Sequence, residues 1–295
     1  MGVVGLFLTA TAVWGSTWLA IKYQLGVVAP EWSVAYRFAL AAALLALWCV
    51  ATGRSLRFSA RNHFFLAALG VTLFGLNYIC VYWAEHYVAS GLVAVVFSTI
   101  VFMNPIGMRL AFDTPLSPPM LLAATLAVAG IARLFLPELT LARSGGAAGL
   151  GVAFALIGTV VASVGNLVAM RNHDAGIPTF SGTAWGMAYG ALTAALAAIA
   201  CGKPAAFDGS VPYLLSLAYL SVFGSIVAFG AYLTLLKRVG GGPSAFVGVS
   251  TPVIALALST LFEGYHWTWI AVLGVVLAVI GNCIALLPAR GRGAG

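Results

Sequence analysis

The sequence predicts an all-α integral membrane protein with ten transmembrane helices, arranged as two inverted five-helix repeats around a central cavity. Three observations lead there. Only 7% of the residues are charged and 62% are hydrophobic, with a mean hydropathy of +1.05, whereas soluble domains average about 25% charged. The apolar residues fall into ten stretches, each close to the roughly 20 residues that a helix needs to cross the hydrocarbon core. Features of the first half also recur about 150 residues later in the second.

The spans, numbered one to ten, are placed at 3–24, 33–52, 64–84, 90–110, 118–136, 149–170, 179–201, 212–236, 244–263 and 267–287. Span one is expected to be a membrane span rather than a classical signal peptide, because no Lys or Arg precedes it and its apolar stretch is long enough to cross. Pro30, Pro118, Pro119, Pro178, Pro212 and Pro243 sit near helix starts, where a missing backbone N–H costs least. The stretches lack the alternation of a membrane barrel, which leaves a helical bundle. Ten spans occupy roughly 200 of the 295 residues and leave no room for a soluble domain.

Assigning loops to alternate sides puts Arg54, Arg57, Arg61, Arg109, Arg171, Lys237, Arg238, Arg290 and Arg292 on the side of both termini. Lys22, Arg37, Arg133, Arg143 and Lys203 fall towards the other. The excess places both termini in the cytoplasm of a bacterial-type inner membrane.

The repeat rests on matched features. Small residues open spans four and nine, ASG at 89–91 and GGGPSA at 240–245. Both spans end in Phe then an acid, Phe112–Asp113 and Phe262–Glu263, and spans five and ten carry a late glycine, Gly130 and Gly281. The halves are 1–140 and 141–295. A unit with an odd number of spans inserts its second copy upside down, an architecture that places a transport site near the midplane between the halves.

In span one, Trp14 and Trp18 share a face, with Thr11 a turn before and Lys22 a turn after. Span three aligns Phe74, Tyr78, Tyr82 and Glu85 in one stripe bordered by Asn77. Span six offers Thr159, Ser163, Asn166 and Met170, and span seven Trp185 and Tyr189 beside the line Gly182, Gly186 and Gly190. Span eight adds Ser225, Phe229 and Tyr232, while Ser98 and Ser250 sit in spans four and nine. The expected solute-binding residues are Trp14, Trp18, Asn77, Tyr78, Tyr82, Ser98, Ser163, Asn166, Trp185, Tyr189, Tyr232 and Ser250. Such a lining suits a mid-sized solute with an apolar or aromatic body.

Plainer readings stand beside these. Trp32, Trp267 and Trp269 fit the interfacial belt, and the span-seven glycines fit close helix packing. Asn77 and Asn166 fit interhelical hydrogen bonds as well as a pathway. Lys22 and Arg37 either snorkel towards the interface or meet a solute carboxylate, or pair with Glu31, Glu85 or Glu263 as a gate. Lys22, Arg37, Glu85 and Glu263 are therefore the expected gating charges, and Pro105 and Pro252 the expected hinges. Every Asp and Glu lies near a helix end. Uniport or weak coupling follows, with Glu85 the alternative coupling group.

The four cysteines have no metal-ligand spacing and read as packing residues. No nucleophile–base pairing or phosphate loop appears, so neither catalysis nor a cofactor is expected. The expected partners are a small-molecule solute and the bilayer, with no nucleic acid, in a monomer or homodimer.

The chain resembles the drug/metabolite transporter superfamily, specifically its ten-helix EamA type. The resembling residues are Trp14-Gly15-Ser16 with Lys22, Arg37-Phe38, the small-residue entries to spans four and nine, Pro252, and Glu263 followed by Gly274 and Gly281. The first half departs from the pattern, with Pro105 eight residues before Asp113 against eleven between Pro252 and Glu263. Span six shows Ser163-Val164-Gly165-Asn166 in place of Trp-Gly-Ser. The aromatic lining is most similar to YddG-type amino-acid exporters. The resemblance implies export of amino acids with aromatic or other hydrophobic side chains, or similar metabolites, by alternating access. Multidrug or nucleotide-sugar transport is the alternative, and an intramembrane enzyme or lipid-handling protein the alternative of another class.

Overall fold

A computed structural model describes residues 1–113, 147–239 and 241–285, with a few isolated positions between 116 and 130. Its described residues form helices and turns without strands. The chain is an integral membrane helical protein. Span one is Val3–Lys22, span two Pro30–Ala51, span six Ala148–Asp174, span seven Thr179–Ala200, span nine Gly241–Phe262 and span ten Trp269–Ala285. The expected boundaries of these spans agree within four residues. Most of the span read at 118–136 lies outside the described residues, as do Pro118, Pro119, Arg133, Glu138, Arg143, Arg290 and Arg292.

Local chemistry sets the ends. Pro30 and Pro212 occupy the first turns of their helices, and the Ser59 hydroxyl accepts the Asn62 N–H at the start of span three. Spans two and seven close on Gly53 and Gly202, at φ 69° and 64°. There the Arg54 and Lys203 N–H groups reach back to the Cys49 and Ala198 carbonyls, the paired C-terminal bonds for which glycine is the favoured residue.

Spans three and eight share an irregularity the sequence reading did not foresee. Span three runs Ala60–Leu69, then a π-helical Gly70–Leu76, then Asn77–Tyr87. Span eight runs Val211–Tyr219, a π-helical Leu220–Val227, then Ala228–Val239. The two π segments start 150 residues apart. Each is pressed against a neighbour. A Cβ on Gly70 would lie 2.5 Å from the Gly186 carbonyl oxygen, and one on Gly190 2.5 Å from Phe74 Cβ. A Cβ on Gly224 would lie 2.8 Å from Thr17 Cγ2. Small residues let the helices approach where dispersion contacts replace the hydrophobic drive that lipid lacks.

Span one packs against spans eight and nine, and span six against spans three and four. Spans two and seven pack together, as do spans four and nine. The bundle core, from Val34 and Phe38 through Phe74, Tyr82 and Val96 to Met187 and Leu220, draws mainly on spans two, three, four, seven and eight, with Ile21, Ala155 and Leu256 from spans one, six and nine. Leu8, Leu47, Phe64, Leu156, Leu196 and Leu215 are exposed, as a lipid-facing surface requires.

Span four is not one continuous α-helix. It divides into Ser90–Phe97 and Ile100–Phe112. At the break the Ser98 and Thr99 hydroxyls donate to the Val95 and Val96 carbonyls, local bonds that compete with the regular ladder. Pro105 lies within the second piece and Pro252 within an unbroken span nine. The irregularity of span four is thus centred on Ser98–Thr99, several residues before the expected hinge proline.

Candidate functional site

At the middle of the bundle, rings from spans one, two, three and eight meet. Trp14 packs edge-on against Phe229 with centroids 5.2 Å apart, and tilted against Tyr232 at 5.2 Å. Its indole N–H donates to the Gly224 carbonyl at 3.1 Å. Phe229 meets Phe74 at 6.4 Å, Phe74 meets Phe38 at 5.4 Å, and Phe38 meets Tyr78 at 4.7 Å. Trp18 turns to Phe97 of span four at 5.4 Å. Close helix packing supports this cluster: a Cβ on Gly15 would lie 2.7 Å from Ile254 of span nine. Beside it the Ser16 hydroxyl meets the Tyr219 hydroxyl at 2.7 Å.

A charged layer lies on the cluster, towards the end of the bundle opposite the amino terminus. Arg37 sits seven residues into span two, about 10 Å along the helix, and is 2% exposed. Its guanidinium stands over the Tyr78 ring at 4.6 Å and the Phe38 ring at 5.1 Å, a favourable cation–π arrangement. It also lies beside the Tyr82 hydroxyl, which donates to Gln24 Oε1. Glu85 is fully buried on the same stripe as Tyr78 and Tyr82.

Lys22 is half-buried at the end of span one. Its ammonium donates to the carbonyls of Glu85 and Val88, where a cation complements the end of span three. Lys22 and Arg37 do not pair with Glu31, Glu85 or Glu263. Among the described residues the ion pair joins Arg109 to Asp113, and Glu31 accepts from the Trp83 indole. Glu263 instead receives the N–H and hydroxyl of Ser90, each at 3.0 Å. The Ser259 hydroxyl accepts the Gly91 N–H at 2.8 Å and meets the Ser90 hydroxyl at 3.0 Å. A Cβ on Gly91 would sit 2.7 Å from Leu256 Cα, so spans four and nine touch closely at this latch.

The remaining expected residues lie elsewhere. Trp185 and Tyr189 contact His63, and the Trp185 indole donates to the Leu56 carbonyl. They form a second cluster near the 52–60 loop, because the span-seven glycine face, not its aromatic face, packs on Phe74. Asn77 donates to the Leu73 carbonyl and lies close to Gly158 of span six. Asn166 donates to Asn104 at 3.3 Å. Both asparagines therefore sit at helix–helix contacts. Ser98 and Ser163 are buried, and Ser250 is half-buried. Gln24, Ser90, Ser259 and the π segments escaped the sequence reading. The small residues around Gly70, Gly75 and Gly224 were the available signal for the last.

The chain is 24% identical over 288 residues to protein PagO of Salmonella typhimurium, covering 96% of this chain and 92% of that one. It is 27% identical over 288 residues to YedA of Escherichia coli K12, described as an uncharacterized inner membrane transporter, covering 94% and 90%. A crystal structure shares the fold with a TM-score of 0.68 at 21% identity, covering 98% of this chain and 97% of the other. The EamA-like transporter family model matches residues 1–136 and 149–287. The chain belongs to the EamA-like transporter family and is a membrane transporter.

Proposed function

We propose that this transporter exports amino acids with aromatic or other hydrophobic side chains, or similar metabolites, by alternating access across a bacterial inner membrane. The observation that carries the reading is the ring cluster of Trp14, Phe38, Phe74, Tyr78 and Phe229, with a buried guanidinium laid on it. It offers an apolar wall and one charged anchor, the combination that a small amphipathic solute needs. YedA is named for the inner membrane, and the nine-to-five distribution of basic residues supports cytoplasmic termini.

The halves 1–140 and 141–295 rock as inverted repeats in this reading. Two observations support it. The π segments recur at a separation of 150 residues. Spans one and six exchange partners as a two-fold axis would demand, one on eight and nine, six on three and four. The latch of Ser90, Ser259 and Glu263 closes one end and must open for solute to pass. Catalysis has no part in the reading, and transport runs as uniport or with weak coupling.

Lipid handling is a second reading. A cavity of ≈ 390 Å³ lies between spans two and seven, lined by Ala39, Ala42, Ala43, Ala46, Ala184, Ala188 and Trp185 among others. Its apolar walls suit an acyl chain. A thermal-shift screen of purified protein against amino acids, drugs and phospholipids decides, since a ligand of the folded state raises apparent stability by mass action. Stabilisation by aromatic amino acids supports the first reading, and stabilisation by phospholipids alone the second.

A further inference from the structure

Spans two and three hold a buried guanidinium and a buried carboxyl group with unpartnered polar atoms. Nε and Nη1 of Arg37 have no hydrogen-bond partner, nor has either carboxylate oxygen of Glu85. The two side chains are 2% and 0% exposed. Lys22, Glu263 and Arg37 all bear on Glu85, Lys22 most strongly, yet among the described residues none of the cations forms an ion pair with it. Their neighbours are already engaged. Lys22 is spent on main-chain carbonyls, and Glu263 on Ser90. Tyr82, lying beside the guanidinium, gives its proton to Gln24. A buried charge without a partner is destabilising, and unsatisfied buried polar groups call for an explanation.

Resting on the amino-acid reading above, we propose that Arg37 and Glu85 receive the two charges of a zwitterionic α-amino acid. Arg37 takes the carboxylate and Glu85 the ammonium. The carboxylate end is fixed over Tyr78, from which Phe38, Phe74 and Phe229 continue as a run of rings. The solute's side chain lies along that run, which selects an aromatic or large apolar group. A solute carrying only one of the two charges leaves the other protein charge unpaired, so it binds more weakly.

The test is competition for labelled phenylalanine uptake into proteoliposomes, with phenylalanine, 3-phenylpropionate and phenethylamine as competitors. Each single-charge analogue is expected to compete at least about tenfold more weakly than phenylalanine, the factor that 1.4 kcal/mol represents. Arg37→Gln is expected to lose the preference for phenylalanine over phenethylamine. Glu85→Gln is expected to lose the preference over 3-phenylpropionate. Equal competition by either analogue in the wild type overturns the proposal, as does full preference kept by both variants. Where a variant does not reach the membrane folded, the wild-type series decides. Uptake of phenylalanine with no charge selectivity leaves the amino-acid reading standing and removes only the paired site. Absence of any amino-acid uptake removes both.

Discussion

The indole N–H of Trp14 donates to the carbonyl of Gly224, 3.1 Å away and 210 residues on in the chain. The bond ties span one to the π-helical segment of span eight, beside the rings of Phe229 and Tyr232. Trp14 is thus both a packing residue and a wall of the ring cluster. Trp14→Phe keeps a ring but loses the bond, and is expected to cost about 1 kcal/mol. Trp14→Ala loses both, at roughly 3–5 kcal/mol. Thermal melts of the two variants check the order, and equal melting temperatures contradict it.

Close approach between spans three and seven predicts a contrast between two glycines. A Cβ on Gly190 would meet Phe74 Cβ at 2.5 Å, whereas one on Gly230 has nothing within 4 Å. Gly190→Ala is expected to destabilise by roughly 1–3 kcal/mol through overpacking. Gly230→Ala is expected to be neutral or to stabilise by up to about 1 kcal/mol, because alanine is the better helix former. Melting temperatures of the two purified variants decide. A Gly190→Ala protein as stable as the wild type contradicts the packing described.

The latch between spans four and nine predicts a change in access rather than in fold. Ser259→Ala strands the Gly91 N–H and removes a partner of the Ser90 hydroxyl. The two bonds together contribute about 2 kcal/mol, so the open state should gain roughly thirtyfold in population. Maleimide labelling of a cysteine placed at Phe97, which packs on Trp18, is expected to speed up by that factor. An unchanged rate shows that the latch does not control the opening.

Topology is tested at two connectors. With both termini cytoplasmic, single cysteines replacing Ser55 and Asp208 lie on opposite sides of the membrane. A membrane-impermeant reagent applied to intact cells is expected to modify the cysteine at 208 and spare that at 55. Equal modification of both contradicts the arrangement.

Span positions were legible because bilayer thickness and proline placement act locally, so Pro30 and Pro212 marked helix starts directly. The packing role of Gly186 and Gly190 was legible too, since a line of glycines on one face has few other uses. What Trp185 and Tyr189 touch was not. Their helix face is fixed by how span seven turns its glycines onto Phe74, a tertiary choice that periodicity does not encode. What Lys22 touches was not legible either, because its partners are main-chain carbonyls of span three, which carry no sequence signature. The π segments depend on a single extra residue per turn, too small a change to disturb the apolar pattern of spans three and eight.

The central claim is that this chain moves an amino acid through the ring cluster between its two halves. Counterflow tests it most directly. Proteoliposomes loaded with unlabelled phenylalanine are diluted into labelled phenylalanine, with the pH gradient dissipated. The account predicts a transient accumulation of label inside, absent from protein-free liposomes and reduced by Trp18→Ala in protein that still folds. No accumulation with phenylalanine or any other hydrophobic amino acid, from protein shown to be folded and correctly inserted, would contradict it.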